Sequence, residues 1–220
     1  KDVVLVSIEP PRLEALRRTI LEETPNATVA TDVTTVPWVG QCDLIVTATS
    51  AFGPRVLDVS QCKPGAVILD VALPPDISAE EAALRPDVLV VESGEVLIPG
   101  PVNFSFNIGL PQGVAYACLA EAALLAMEER FECFTLGRDV HPDRVKEIYR
   151  LFRKHDFRIA PLRTFGQLLT DELVAEKRAR ADELLRDPAR LARVKAEAGE
   201  KMARIPPRAK GVAGLTTLKA

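Results

Sequence analysis

No run of about 18 apolar residues occurs anywhere in the chain, so no helical membrane span is expected. Histidine appears only at His141 and His155, too sparsely for a zinc site of familiar spacing, and no metal site is predicted. Aromatic residues make up 5% of the sequence, with a single Trp38, which excludes a base-stacking surface for single-stranded nucleic acid. Basic residues give no excess either: the formal charge is −3, and no nucleic-acid partner is expected. The four cysteines, Cys42, Cys62, Cys118 and Cys133, form no Cys-x-x-Cys pair. Four in 220 residues do not make a secreted disulfide scaffold, so a reducing, cytoplasmic location is expected. The opening Lys1-Asp2-Val3-Val4-Leu5-Val6 is too short and wrongly flanked for a signal peptide.

What is present is ordinary globular material. Hydrophobic residues amount to 47% and charged residues to 27%, enough for a core in one domain or one domain with an appendage. Short apolar runs at Val3–Val6, Thr28–Ala30, Leu44–Thr47, Ala66–Val71 and Val88–Val91 read as strands. Between the first two, Arg12–Glu23 repeats Leu13, Leu16 and Ile20 at helical spacing. Nearly all-apolar strands suit a sheet covered on both faces, and alternation with helices makes it parallel. The expected fold class is therefore α/β, a doubly wound, Rossmann-like parallel sheet with C-terminal helices.

Ser93 to Pro111 reads as a long loop, and Ala115–Met127 as a helix apolar on nearly every face except Glu121, hence buried. Were that helix to start at Pro111, Cys118 would lie about two turns in, beyond the reach of the dipole. A further helix is predicted from Pro142 to His155, with Val145, Ile148, Leu151 and Phe152 as its apolar stripe. From Asp171 to Ala209 the chain is dense in Ala, Leu, Glu, Arg and Lys and broken at Pro188, giving two charged helices. They read as a solvated tail or surface arm, the alternative being a homo-oligomer contact through Leu184, Leu185, Leu191 and Val194.

A doubly wound fold opens with a strand, a Gly-x-Gly-x-x-Gly turn and a helix, and no such turn exists here. Val3–Val6 reads instead as the second strand of that fold. Either the first strand and glycine loop lie upstream, leaving the sheet incomplete at its N-terminus, or the sheet never had a phosphate loop. The organisation expected is a partial dinucleotide-binding domain over 1–110, a helical part carrying Cys118 over 111–164, and a charged helical tail over 165–220.

The carboxyl edge of such a sheet is where ligands bind. Thr47, Ala48, Thr49 and Ser50 follow one strand there, Asp70 ends the next, and Gly94 lies just past the last. Each is also ordinary turn chemistry. At the tip of the first strand, Glu9 suits the hydroxyls of an adenosine ribose and Arg12 a 2′-phosphate, while a solvated loop acid explains Glu9 equally. Cys118 is a nucleophile candidate or a packed thiol between alanines. Glu121, three residues on, shares its side of the helix. It either helps proton movement or pairs with Arg138.

Tyr116-Ala117-Cys118-Leu119-Ala120-Glu121-Ala122, then Phe134-Thr135-Leu136-Gly137-Arg138, then His155-Asp156-Phe157 with Pro161-Leu162 resemble the C-terminal part of the cyanobacterial-type long-chain acyl-[acyl-carrier-protein] reductases. Asp43–Val46 and Val67–Asp70 are similar to later Rossmann strands of that family, and Gly94-Glu95-Val96 stands where it has a Gly-Gly-Val turn. The resemblance implies an enzyme that reduces a long-chain acyl thioester to a fatty aldehyde with NADPH or NADH. It implies an acyl group taken from acyl carrier protein or acyl-CoA onto Cys118. The alternatives kept open are another Rossmann-type dehydrogenase, resembling shikimate or glutamyl-tRNA reductases, and a non-catalytic dinucleotide-binding module.

Overall fold

The computed structural model describes residues 2–49, 55–135 and 140–206. Among the described residues two compact units emerge: one from residues 2–92 and 164–206, the other from 93–163. The first is therefore built from two separated stretches of chain.

In the first unit, β1 (Asp2–Val6) runs through α1 (Pro10–Glu23) into β2 (Thr28–Asp32), which pairs with β1 in parallel. Pro10 and Pro11 start α1 at positions whose N–H groups have no helical partner anyway. Leu13 is its one buried side chain, and Arg17 Nε donates to the Val29 carbonyl at 3.2 Å. The strands β3 (Leu44–Thr47), β4 (Val67–Asp70) and β5 (Leu89–Glu92) form a second parallel ladder. Two short strands, β9 (Arg163–Thr164) and β10 (Gln167–Leu168), extend it in the order β10-β9-β5-β4-β3. A mixed α/β architecture with parallel sheets is thus observed.

One face of the β3–β5 ladder holds the core. Ile68 and Val90 are buried there beside Val59, Cys62, Ile77, Val88 and Met202, with Ile45 packed against them. The short helix α2 (Ala79–Ala83) is fixed by a reciprocal capping box between Ser78 and Glu81. Arg55 clasps Glu81 at 2.8 Å and also donates to the carbonyls of Met202 and Ile205, at 3.2 and 2.9 Å.

The helices α5 (Asp171–Arg186) and α6 (Pro188–Met202) correct the expectation of a solvated tail. Ala181, Leu184, Ala198 and Met202 are buried, whereas Leu185 is 54% exposed. Lys177 Nζ donates to the Val88 carbonyl at 3.0 Å and Lys195 Nζ to the Gln61 carbonyl at 2.9 Å. Burial holds both ammonium groups below the ordinary lysine range. Gly65 explains how closely α5 approaches: its φ is +76°, and a Cβ there would sit 3.2 Å from the Ala181 Cβ.

The second unit is a small α/β body of its own. Strands β6 (Glu95–Leu97), β7 (Val114–Tyr116) and β8 (Arg158–Ile159) make an antiparallel sheet in the order β7-β6-β8. Helices α3 (Ala117–Met127) and α4 (Pro142–Lys154) close on it through Val96, Ala120, Leu124, Phe157, Ile148, Leu151 and Phe152. The helix expected over Ala115–Met127 is observed from Ala117 and does not reach back to Pro111, because Val114–Tyr116 pairs with Glu95–Leu97 as a strand. Nor is α3 buried all round, since Leu119 is 44% and Met127 53% exposed. No helix among the described residues is long and apolar enough to cross a membrane.

At the centre of the first unit, Arg85 and Asp87 are 0% and 1% exposed and bonded at 2.6 and 2.8 Å. Arg85 Nη1 also donates to the carbonyls of Ser60 and Cys62, at 2.7 and 2.9 Å. Removing one partner leaves a buried charge alone, so Asp87→Asn should cost about 3–5 kcal/mol. Urea unfolding checks this as a large fall in the midpoint.

Candidate functional site

Register brings Thr47, Asp70 and Glu92 side by side at the carboxyl ends of β3, β4 and β5. The Thr47 carbonyl accepts from Val71 N at 2.9 Å, which carries the ladder one residue past the strand end. Asp70 is buried, and its carboxylate accepts from Ala72 N at 3.1 Å and Ile77 N at 2.9 Å. Its oxygens therefore hold the following loop. Thr49 donates to Asp76 through its amide at 3.0 Å and its hydroxyl at 2.7 Å. Glu92 accepts from Gly166 N at 2.8 Å. Ala48 is exposed at this edge, and Ser50 lies outside the described residues.

One polar atom at this edge stands apart. Thr47 is 5% exposed, and its Oγ1 has no hydrogen-bond partner among the described residues. A hydroxyl so placed costs on the order of 1–3 kcal/mol until something bonds it. The edge thus offers a buried hydroxyl able to donate or accept, with the carboxylates of Asp70, Asp76 and Glu92 already engaged by backbone or Thr49. Thr47→Val should raise the stability of the ligand-free protein by about 1 kcal/mol. A thermal melt that shows a loss instead would mean the hydroxyl has a partner in solution.

Glu9 and Arg12 belong to the entry of α1. Glu9 occupies the position before the helix, its amide donates to Ser7 Oγ at 3.2 Å, and its carboxylate lies 3.7 Å from Arg12 Nε. The two residues thus meet each other on an exposed turn. At the tip of β2, Asp32 accepts from Trp38 Nε1 at 2.8 Å, a bond that with the Thr34 and Val33 amides lowers its carboxyl pKa.

Gly94, Cys118 and Glu121 belong to the second unit. Gly94 has φ +92° with open space where a Cβ would be, and its carbonyl accepts from Ala117 N at 2.7 Å. Cys118 is the second residue of α3, exposed and free. It lies within the first helical turn, where negative charge is favoured, not two turns in. Burial first, then Glu95 and Cys118, push the neighbouring Tyr116 phenol up. Glu121 accepts from the Thr135 hydroxyl. Its expected partner, Arg138, lies outside the described residues.

Sequence reasoning missed Asp76, Thr135 and the contact of His155 Nε2 with Glu128 at 2.5 Å. Lys154 also binds Glu128, and these two hydrogen bonds lower the Glu128 carboxyl pKa. His141 caps α4, its Nδ1 accepting from Asp143 N at 3.3 Å. Among the described residues, no group of three His, Cys, Asp or Glu could hold a metal ion.

The thiols separate by environment. Burial pushes Cys62 up to about 12 and raises Cys42, while Cys118 and Cys133 are exposed. Iodoacetamide on the native protein should label Cys118 and Cys133 first and leave Cys62 unmodified, as read by peptide mass mapping.

No family model matches the chain. The chain is similar to an aminotransferase. Aminotransferase PigE of Serratia sp. (strain ATCC 39006) is 39% identical over 137 residues, which is 61% of this chain and 16% of that protein. This finding overturns the expected reductase of acyl thioesters and its dehydrogenase alternatives, because the relative is named for group transfer rather than hydride transfer. NADPH or NADH falls with that expectation, and acyl carrier protein or acyl-CoA as a partner is left without support.

Proposed function

We infer that this chain is an accessory α/β part of an aminotransferase-type polypeptide, and that it does not itself hold the amino-transfer cofactor. The similarity to a stretch forming 16% of an aminotransferase carries this reading. Most of that relative lies outside the region of likeness.

Amino transfer commonly relies on pyridoxal phosphate, bound to a lysine as a Schiff base with an acidic or basic partner at the ring nitrogen. The lysines described here do not fit such a group. Lys177 and Lys195 are spent on backbone carbonyls beneath α5 and α6. Lys63 pairs with Asp43, Lys146 with Asp143 and Lys154 with Glu128, all at the surface. Lys201 is exposed near the end of α6. None of these ion pairs belongs to the carboxyl edge of the β3–β5 ladder.

In this reading the two parallel ladders of the first unit belong to one doubly wound sheet. Its carboxyl edge, with the unbonded Thr47 hydroxyl, holds a small polar ligand for chemistry completed elsewhere in the polypeptide. The engaged state of Asp70 and Asp76 leaves neutral hydroxyls and peptide groups as the available contacts.

Reductive trapping tests the central claim. The chain is incubated with pyridoxal phosphate and borohydride, and each lysine is read by peptide mass. Only low, unselective labelling of exposed lysines is expected, with no transamination by the chain alone. Stoichiometric trapping on one lysine, together with amino transfer by the isolated chain, would overturn the reading.

A further inference from the structure

The β3 edge is unfinished in a specific way. Asp43 and Thr47 give their carbonyls to Val67 and Val71 of the β4 side, at 2.9 Å each. Residues of a parallel strand alternate between neighbours, so the peptide groups of Leu44 and Val46 point to the opposite edge. In the order β10-β9-β5-β4-β3, no strand among the described residues lies there. The strand β1 repeats the pattern: Ser7 N donates to the Asp32 carbonyl at 3.2 Å, which turns Val4 and Val6 away from β2. Among the described residues that ladder has two strands.

The side chains agree with the backbone. Leu44 and Val46 are 61% and 57% exposed, and Val67 and Leu69 on the same face of β4 are only half-buried. The other face of the same strands is the core. Parallel sheets are covered on both faces, and a two-stranded ladder is marginal alone.

We propose that the outer edge of β3 takes up one further strand, running parallel to it and followed by a helix, from a segment of the longer polypeptide outside this chain. The same strand completes β1, giving the order β2-β1-x-β3-β4-β5. Its helix covers Leu44, Val46, Val67 and Leu69. The length of the similar aminotransferase supports this occupant: 84% of that polypeptide is outside the stretch this chain matches, since the match spans 16%. A second copy is a poorer fit, because two-fold symmetry would set β3 antiparallel to its mate, against the parallel sense of both ladders. The proposal rests on the doubly wound reading above.

Hydrogen exchange read by mass spectrometry tests it on the chain and on the complete polypeptide in which this stretch occurs. In the chain alone, the Leu44 and Val46 amides should exchange quickly while Ile45 and Thr47 are slow. In the complete polypeptide, Leu44 and Val46 should slow by roughly 100-fold. The double variant L44K/V46K should leave the isolated chain folded, since both side chains are solvated there, and should abolish the slowing. Fast exchange in both proteins overturns the proposal. Slow exchange in the chain alone also overturns it, with sedimentation showing whether a dimer closes the edge. Neither outcome depends on lysine trapping, so failure here leaves the accessory role standing.

Discussion

A guanidinium with no access to water organises the first unit. Arg85 has Asp87 on one side and the carbonyls of Ser60 and Cys62 on the other. Those four groups come from the end of α2, the entry to β5 and the 3-10 turn Val59–Gln61. An ion buried this deeply is tolerated only when its hydrogen bonds are met, so the three segments are held in one arrangement or the charge is stranded. Lys177 and Lys195 then fasten α5 and α6 onto the same region, through carbonyls that the strands and turn leave over. The edge that carries Thr47, Asp70 and Glu92 stands on this platform.

Much of the sheet was readable. The runs at Val3–Val6, Leu44–Thr47, Ala66–Val71 and Val88–Val91 lie within a residue or so of the observed strands, because a strand buried on a face leaves little room for polar residues. The break at Pro188 also separates α5 from α6, as a residue without an N–H favours a helix start. Local signals failed where pairing is distant. Pro111-Gln112-Gly113-Val114 looks like the entry to a helix, yet Val114–Tyr116 is drawn into a strand by residues some twenty positions earlier. Cys118 therefore lies in the first turn of α3, not two turns in as a start at Pro111 would put it.

The candidate site was less legible than the sheet. Thr47, Thr49 and Asp70 were placed at the strand ends by counting along apolar runs. Asp76 was not, because Leu73-Pro74-Pro75-Asp76 carries only a turn signature and its partner is 27 residues away. Arg85 had no signal that distinguishes a buried cation from a surface one: Arg85-Pro86-Asp87 reads as a polar turn before a strand. Composition misled for α5 and α6, whose charges sit on the outer side while Ala181, Leu184, Ala198 and Met202 face inward.

The first unit is interrupted by the second along the chain, resuming only at Thr164. Ribosomes deliver residues in order, so the bonds that Lys177, Lys195 and the end of α6 make to the early segments form only after the whole intervening body has emerged. During that interval Met202 is missing from the core, and the carbonyls of Gln61 and Val88 await their cations. The core face of the β3–β5 ladder is thus completed only once α6 has been made.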